Sequence, residues 1–389
     1  MIKRQLGQFF TINSEYILQN LNKYIKNKEV VDPFAGNGDL IKWARKNGVK
    51  KIKGFDVDKR LVDKKTIFYN DSILNPKTYK FVLTNPPYLN VNKADRLIKD
   101  KYFRTKNFED LYHSSLYSLM NSEEGIVIVP INFLSAGNSI KIRNSFFYKF
   151  KIIEMNYFKQ QVFPDTTYNV IAFYYKKRND AFEDKFNIKT HIYPDDRVVN
   201  FELDKRFNWT IGGEIYKKIQ NQKNILGIHR LTEKDIESEK GPIKIRAAFN
   251  HINDVLKINV SKEMYNLLHS NLILLKAIDS GSENGKLALE NIKNYGVECL
   301  ISKESSRHMI YLIFEKPLTM NDQKRIIDLF NKEINKLREA HLSLFLTNYR
   351  DKDRKRVSFD FVYKFINYLY LNKLSKNNTN TLFSNYVYE

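Results

Sequence analysis

Chemistry in this chain concentrates at Asn85-Pro86-Pro87-Tyr88, which follows the apolar stretch 79–83. That stretch reads as a short buried strand, so the motif falls just beyond a strand's carboxyl end, where open α/β sheets hold ligands. Pro86 and Pro87 remove two backbone donors and leave carbonyl acceptors. Asn85 adds a side-chain acceptor, and Tyr88 adds a flat aromatic face. Acceptors beside a stacking platform suit a planar ring carrying an exocyclic amino group, which describes a nucleobase. A proline-rich turn closing a strand is the plain alternative for so short a string.

Further strand ends upstream also carry polar groups. Val30-Val31-Asp32-Pro33-Phe34-Ala35-Gly36-Asn37-Gly38 reads as a strand and a glycine turn that opens a helix. Gly36 and Gly38 permit close backbone approach and positive φ. The pattern is not G-x-G-x-x-G, because position 41 is Ile, and no Gly-Lys-Ser/Thr follows to make a phosphate loop. Asp56 ends the next apolar strand about twenty residues on, the spacing of an acid that accepts from ribose hydroxyls. Asp71, with Ser72 beside it, ends a further strand and could accept from an adenine amino group. Asp58 reads better as a cap or a loop charge.

The ordered set Leu6-Gly7-Gln8-Phe9-Phe10-Thr11, Asp32-Pro33-Phe34-Ala35-Gly36-Asn37-Gly38, Asp56, Asp71 and Asn85-Pro86-Pro87-Tyr88 resembles the gamma class of DNA adenine methyltransferases, over roughly residues 5–178. The resemblance implies S-adenosylmethionine as cofactor, with Gln8, Phe10 and Thr11 over its methionine part and Asp32, where the family often has Glu, at its amino acid moiety. Phe34, Gly36, Gly38, Asp56, Val57, Asp71 and Ser72 would complete that site. Asn85, Pro86, Pro87 and Tyr88 would carry catalysis, and Phe163, in Gln161-Val162-Phe163-Pro164-Asp165, would clamp a flipped base opposite Tyr88. The implied reaction is methylation of the N6 amino group of a flipped-out adenine in duplex DNA. The implied setting is a type II restriction-modification system, the enzyme acting as a monomer and any cognate endonuclease being a separate protein. Ribosomal RNA adenine or guanine methylation, and a catalytically inactive nucleic-acid-binding module, are the alternatives. Intact Asn85, Asp56 and Asp71 favour an active enzyme.

The composition fits a polyanionic partner. The 389-residue chain has a formal charge of +21. Residues 1–178 hold 31 Lys/Arg against 16 Asp/Glu, and the remainder 34 against 28, so the excess lies mostly where a target strand would be gripped. Lys-rich usage from a low-GC genome is the bland reading. Cys299 is the single cysteine and the seven histidines show no ligand spacing, so no disulfide and no metal are expected. Apolar runs are strand-length and the N-terminus lacks a signal-peptide core, so the expected location is the cytoplasm, at the nucleoid through DNA, with no membrane span.

The elements needed to position these groups follow from periodicity. Residues 1–178 alternate strand and helix patterns, predicting an α/β catalytic domain: a Rossmann-like methyltransferase sheet with helices on both faces. Strands are expected to end near Asp32, Asp56, Asp71, Asn85, Pro130, Phe158 and Tyr175, with helices over 14–26, 38–47, 108–120 and 138–150. The stretch 89–107, with Lys93, Arg96, Lys101 and Arg104, reads as a mobile loop meeting DNA phosphates. Residues 179–205 turn polar and read as a linker. Residues 206–389 are expected to form a mixed α+β target-recognition domain for double-stranded DNA, with helices over 320–337 and 359–371. Between those helices lies the densest basic segment, with Arg350, Arg354 and Arg356 as DNA-contact candidates. A solvated charged linker is the alternative there.

Overall fold

Short apolar runs remote in sequence pair into one large sheet. The computed structural model describes residues 7, 11–104, 107–164, 168–179, 183–280, 285–346, 348–349 and 354–374. Strands β1 (Glu29–Asp32), β2 (Lys51–Asp56), β3 (Ile67–Tyr69), β4 (Tyr79–Thr84), β5 (Ser122–Pro130), β6 (Phe150–Phe158), β7 (Val170–Lys177), β8 (Lys185–Tyr193) and β9 (Arg197–Asp204) join in the order β3-β2-β1-β4-β5-β7-β6-β8-β9. The first five run parallel to one another. β7 runs antiparallel between β5 and β6. The architecture is the Rossmann-like α/β class expected of a methyltransferase sheet. Central parallel strands need unbroken apolar runs because both faces are covered, and in β5 every residue from Gly125 to Pro130 is buried.

Strand order sets where a ligand can sit. From β1 the chain builds outward through β2 and β3, then returns to place β4 on the other side of β1, with Val30 opposite Phe81 and Val31 opposite Val82. A crevice opens at such a reversal, beyond the carboxyl ends of the strands. Asp32 ends β1 and Asn85 follows β4, so both motifs flank that one point.

Three expectations are corrected. Residues 179–205 are not a linker: β8 pairs parallel with β6 and β9 antiparallel with β8. In β8 the buried Phe186, Ile188, Thr190 and Ile192 alternate with the exposed Lys185, Asn187 and Lys189, so the average composition hides a half-buried strand. The helix over 14–26 is α-helical only at Ser14–Ile17, with a separate 3-10 turn at Asn22–Tyr24, and Asn20 at φ +65° breaks its course. Within the stretch 89–107, the described residues 89–104 are not a loose loop. They form a turn at Val91–Lys93, a short helix at Arg96–Ile98 and a wide turn at Lys99–Phe103. Ile98, Tyr102 and Phe103 are buried there with Leu89, Ala94 and Leu111. The other expected helices occur as Asp39–Lys46, Leu111–Ser118 and Ile140–Lys149.

The chain divides into two compact units, the first running to Ile211 and taking in Tyr349, the second holding Gly212–Asn348 and the chain from Arg354 onward. The second unit is mixed α+β. One sheet orders Ile228–Arg230, Met309–Phe314, Ile273–Lys276 and Ala288–Asn291, and another orders His251–Val260, Ile243–Phe249 and Cys299–Ile301. Helix Met320–His341 starts where the Thr319 hydroxyl accepts from the Asp322 amide at 3.1 Å, satisfying a donor the first turn leaves open. Its buried Ile326, Phe330 and Ile334 join a core with Phe361 and Phe365 of helix Phe359–Leu369. Among the described residues no helix is long and apolar enough to cross a membrane.

Candidate active site

At the reversal point the Asp32 carboxylate is buried but incompletely satisfied. Asp32 is 1% exposed. Its Oδ1 accepts from the Phe34 amide at 3.1 Å and from the Thr84 hydroxyl at 2.7 Å. Its Oδ2 is buried with no hydrogen-bond partner among the described residues. Burial raises the Asp32 pKa to about 7, opposed by those two hydrogen bonds and reinforced by the nearby Asp56 charge. A buried acceptor without a donor is costly, so this oxygen marks a place for a cationic or donor group.

The glycine turn binds the next acid. Gly36 (φ +52°) and Gly38 (φ +76°) adopt the left-handed conformation that glycine takes without strain. That bend lets the Gly36 amide donate to Asp56 Oδ2 at 2.8 Å, while the Asp58 amide donates to Oδ1 at 2.8 Å. Burial raises the Asp56 pKa against these backbone donors. Phe34 and Val57 lie half-buried beside the turn. Asp58 caps a short turn and holds Arg60, in line with its reading as a cap.

Past β3, Asp71 and Ser72 are buried. Asp71 Oδ1 accepts from the Leu74 amide at 3.3 Å. Its Oδ2 meets the Tyr102 hydroxyl at 2.9 Å and the Lys101 ammonium at 2.8 Å. Ser72 Oγ accepts from Asn70 at 3.0 Å.

The 85–88 turn is closed by the N-terminal segment. The Tyr88 amide donates to the Gly7 carbonyl at 2.9 Å. A side chain on Gly7, itself at φ +62°, would lie 2.8 Å from the Tyr88 carbonyl oxygen, so only glycine fits. Asn85 Nδ2 donates to the Thr11 hydroxyl at 3.1 Å. The Tyr88 hydroxyl lies against two acceptors, Asn85 Oδ1 and the Ile128 carbonyl of β5 at 2.9 Å. Burial lifts the Tyr88 pKa well above its ordinary value, so the phenol is a donor with a single proton to place.

Two expectations change here. Tyr88 is only 5% exposed, its ring edge-on to Tyr112 at 6.2 Å, instead of offering an open face. Asn85 Oδ1 is covered by that same phenol. Behind it the Tyr112 hydroxyl, Ser139 Oγ and His113 Nε2 are linked at 3.0 and 3.1 Å. Phe163 is buried, and the adjacent Val162 carbonyl accepts from Asn13 at 3.3 Å, which ties this segment to the Thr11 stretch. Pro86 is buried and Pro87 half-buried. Gln8, Phe10 and Asp165 lie outside the described residues.

Of the basic candidates, Lys93, Arg96 and Arg104 are exposed, with Asp100 4.0 Å from Arg96 and 2.8 Å from Arg104. Lys101 instead reaches the buried acid Asp71. In the second unit Arg354 is exposed, and Arg356 sits half-buried in the short strand Lys355–Arg356, paired with Ile278–Asp279. Arg350 lies outside the described residues. Thr84 and Tyr102 are site residues that the sequence reading does not reach. Thr84 carries a usable signal, since it ends the strand parallel to the one that Asp32 ends. Among the described residues no group of three or more His, Cys, Asp or Glu side chains could hold a metal ion.

No family model matches the chain, and no curated protein matches it. Among solved structures it is similar to the EcoKI M protein of a type I restriction enzyme, at 17% identity and TM-score 0.37, over 48% of this chain and 49% of that one. A type I restriction-modification methyltransferase subunit from Streptococcus thermophilus is similar at 14% identity and TM-score 0.32, over 48% and 49%. A provisionally assigned RNA methyltransferase from Pyrococcus horikoshii is similar at 18% identity and TM-score 0.34, over 46% and 90%. The match thus spans about half the length of the two restriction proteins.

Proposed function

We propose that the protein is an S-adenosylmethionine-dependent methyltransferase acting on a nucleobase, and more narrowly on the N6 amino group of adenine in duplex DNA. The observation that carries this reading is the row of buried acceptors, Asp32, Asp56, Asp71 and Asn85, at or just past the carboxyl ends of the adjacent strands β1, β2, β3 and β4. The cofactor fits that row. The orphaned Asp32 Oδ2 suits an α-ammonium. Asp56 keeps acceptor capacity for ribose hydroxyls beside its two backbone donors. Asp71 suits an adenine amino group. When bound, S-adenosylmethionine supplies an electrophilic methyl group.

The chain's own residues then prepare the nucleophile. An adenine amino nitrogen is a poor nucleophile because its lone pair is delocalised into the ring. Accepting hydrogen bonds from it, by Asn85 Oδ1 and the Pro86 carbonyl, draws it toward tetrahedral geometry and stabilises the positive charge it develops. Fixed dipoles of this kind are worth roughly 2.7–4 kcal/mol where single groups have been removed. Thr11 holds the other end of the Asn85 amide and so orients its oxygen. The Tyr88 proton has the Ile128 carbonyl as a second acceptor, which frees Asn85 Oδ1 for substrate without burying an unpaired hydroxyl. The base must leave the duplex stack, at a cost of a few kcal/mol. Tyr88 and Phe163 would offset that by stacking, at about 1–3 kcal/mol per contact, once they open toward it. Lys93, Arg96 and Arg104, with Arg350, Arg354 and Arg356 further along the chain, are the proposed phosphate contacts. The wider setting proposed is a type II modification enzyme acting as a monomer.

The test is methyl transfer from labelled S-adenosylmethionine to mixed-sequence duplex DNA and, separately, to ribosomal RNA, followed by nucleoside analysis. N6-methyldeoxyadenosine is the expected product. Label confined to RNA, or on guanine, overturns the adenine-DNA reading. Cofactor binding with no transfer to either would leave only a binding module.

A further inference from the structure

The segment that follows the 85–88 turn has two unlike sides. Its inner side buries Ile98, Tyr102 and Phe103, with Ile73 of the Asp71 loop packed alongside. Its outer side carries the exposed Lys93, Arg96, Lys101 and Arg104, along with the acids Asp95 and Asp100. Lys101 belongs to both sides. Its side chain is 40% exposed, yet its ammonium lies 2.8 Å from Asp71 Oδ2 and 4.7 Å from the centre of the Tyr102 ring. The Tyr102 hydroxyl donates to that same oxygen at 2.9 Å. Burial works against the Lys101 charge, but the contacts with Asp71 and Tyr102 prevail and raise its pKa.

The Asp71 carboxylate is therefore already engaged on both oxygens, twice on Oδ2 and once, by the Leu74 amide, on Oδ1. A carboxylate has about four acceptor positions, so an adenine amino group meets a nearly saturated partner whose charge is offset by an ammonium. Lys101 is a point charge on a flexible stem and can turn outward without unfolding the segment. A phosphate arriving on the outer face competes for it.

We propose that Lys101 and Tyr102 are positioning residues of the cofactor site, through which nucleic acid bound on the outer face of this segment tightens cofactor binding. Drawing Lys101 off Asp71 frees Oδ2 and restores its full charge as an acceptor for the cofactor's adenine amino group. This inference rests on the proposed function, because it takes Asp71 as the cofactor's adenine acceptor. By thermodynamic reciprocity the cofactor tightens nucleic-acid binding by the same factor.

Calorimetric titration of S-adenosylmethionine into the full chain, with and without a saturating non-specific DNA duplex at low salt, tests this. Wild type should bind the cofactor about 5-fold more tightly with duplex present, at the lower end of ordinary coupling. Lys101→Met should bind the cofactor, without duplex, as tightly as the wild-type complex does, and should not respond to duplex. Tyr102→Phe keeps the packed ring and should shift affinity in the same direction by less. If Lys101→Met matches wild type in both conditions, or if both variants simply weaken the cofactor, the pair only braces Asp71 and the inference is overturned. Wild type that binds no S-adenosylmethionine at all would instead overturn the proposed function, and the inference with it.

Discussion

Two buried carboxylates of the same sheet have opposite surroundings. Glu154, in the middle of β6, is ringed by Lys23 at 2.5 Å, the Tyr24 hydroxyl at 2.7 Å, His191 at 2.8 Å and Lys189 at 3.5 Å. Burial raises its pKa, but Lys23, Tyr24 and His191 outweigh that and hold it at about 2. Asp32, at the end of β1, has two neutral donors on one oxygen and none on the other, and its pKa rises to about 7. A saturated acid serves the fold. An acid left short of partners, at a strand reversal, is the one we propose for a ligand. Both side chains are shielded from solvent, but only Glu154 meets ammonium groups, and the partners each fold position provides set the two apart.

The largest effect that would sharpen this contrast belongs to the ligand side. Asn85→Ala should lower kcat by about 100-fold or more, the usual consequence of losing one fixed transition-state dipole, while leaving cofactor affinity and melting temperature near wild type. Steady-state kinetics with calorimetry would separate the two, and an equal loss of cofactor affinity would break the assignment of Asn85 to the base. Next comes Asp56→Ala, which should weaken S-adenosylmethionine binding about 10-fold or more, since a charge-assisted hydrogen bond is worth roughly 1.5–3 kcal/mol. Unchanged affinity in the folded variant would remove Asp56 from the cofactor site.

On the structural side, Glu154→Gln should cost stability and leave transfer intact. The folded-state pKa of Glu154 is lowered from 4.5 to about 2. Its contribution is therefore present above the unfolded value and is lost as pH falls from about 5 toward 2. Denaturant melts across that window should fall steeply for wild type and more gently for Glu154→Gln, with a difference near neutrality of about 1–3 kcal/mol. A variant with unchanged stability and impaired transfer would reverse the comparison.

Asp32 should behave in the opposite sense. Its folded pKa is raised from 3.8 to about 7, so ionising it in the free protein costs stability that disappears progressively as pH rises between those values. Asp32→Asn should then raise the melting temperature of the cofactor-free protein at pH 8, by the smallest of these effects, while weakening cofactor binding. A variant that lowers the melting temperature and binds normally would mark Asp32 as structural, like Glu154.

Much of this site is legible in the sequence because its polar residues interrupt apolar runs. Asp32, Asp56 and Asn85 each end or follow a short apolar stretch, and such a break at a strand end is a local signal. Strands β8 and β9 are not legible in the same way. Their charged faces dominate the composition of 179–205, and only period-two burial separates a half-exposed strand from a linker. The segment 91–104 looks like a loop for a related reason. Its buried residues Ile98, Tyr102 and Phe103 are spread among cations, and their packing partners Leu89, Leu111 and Ile73 lie in other elements.

By itself the sequence determined the residue types at the strand ends, the glycines that bend the turn after β1, and the placement of most of the charge excess in the first 178 residues. These are local properties, set by periodicity and by steric limits on single residues. Only the tertiary structure decided which groups meet. The pairing of β4 beside β1 brings the Thr84 hydroxyl to one oxygen of Asp32 and leaves the other without a donor. The neighbouring β5 offers the Ile128 carbonyl that can take the Tyr88 proton from Asn85. Packing of the 91–104 segment against Ile73 delivers Lys101 and Tyr102 to Asp71. Hydrogen-bond satisfaction depends on distances of a few tenths of an ångström between residues dozens of positions apart, and no local pattern encodes that.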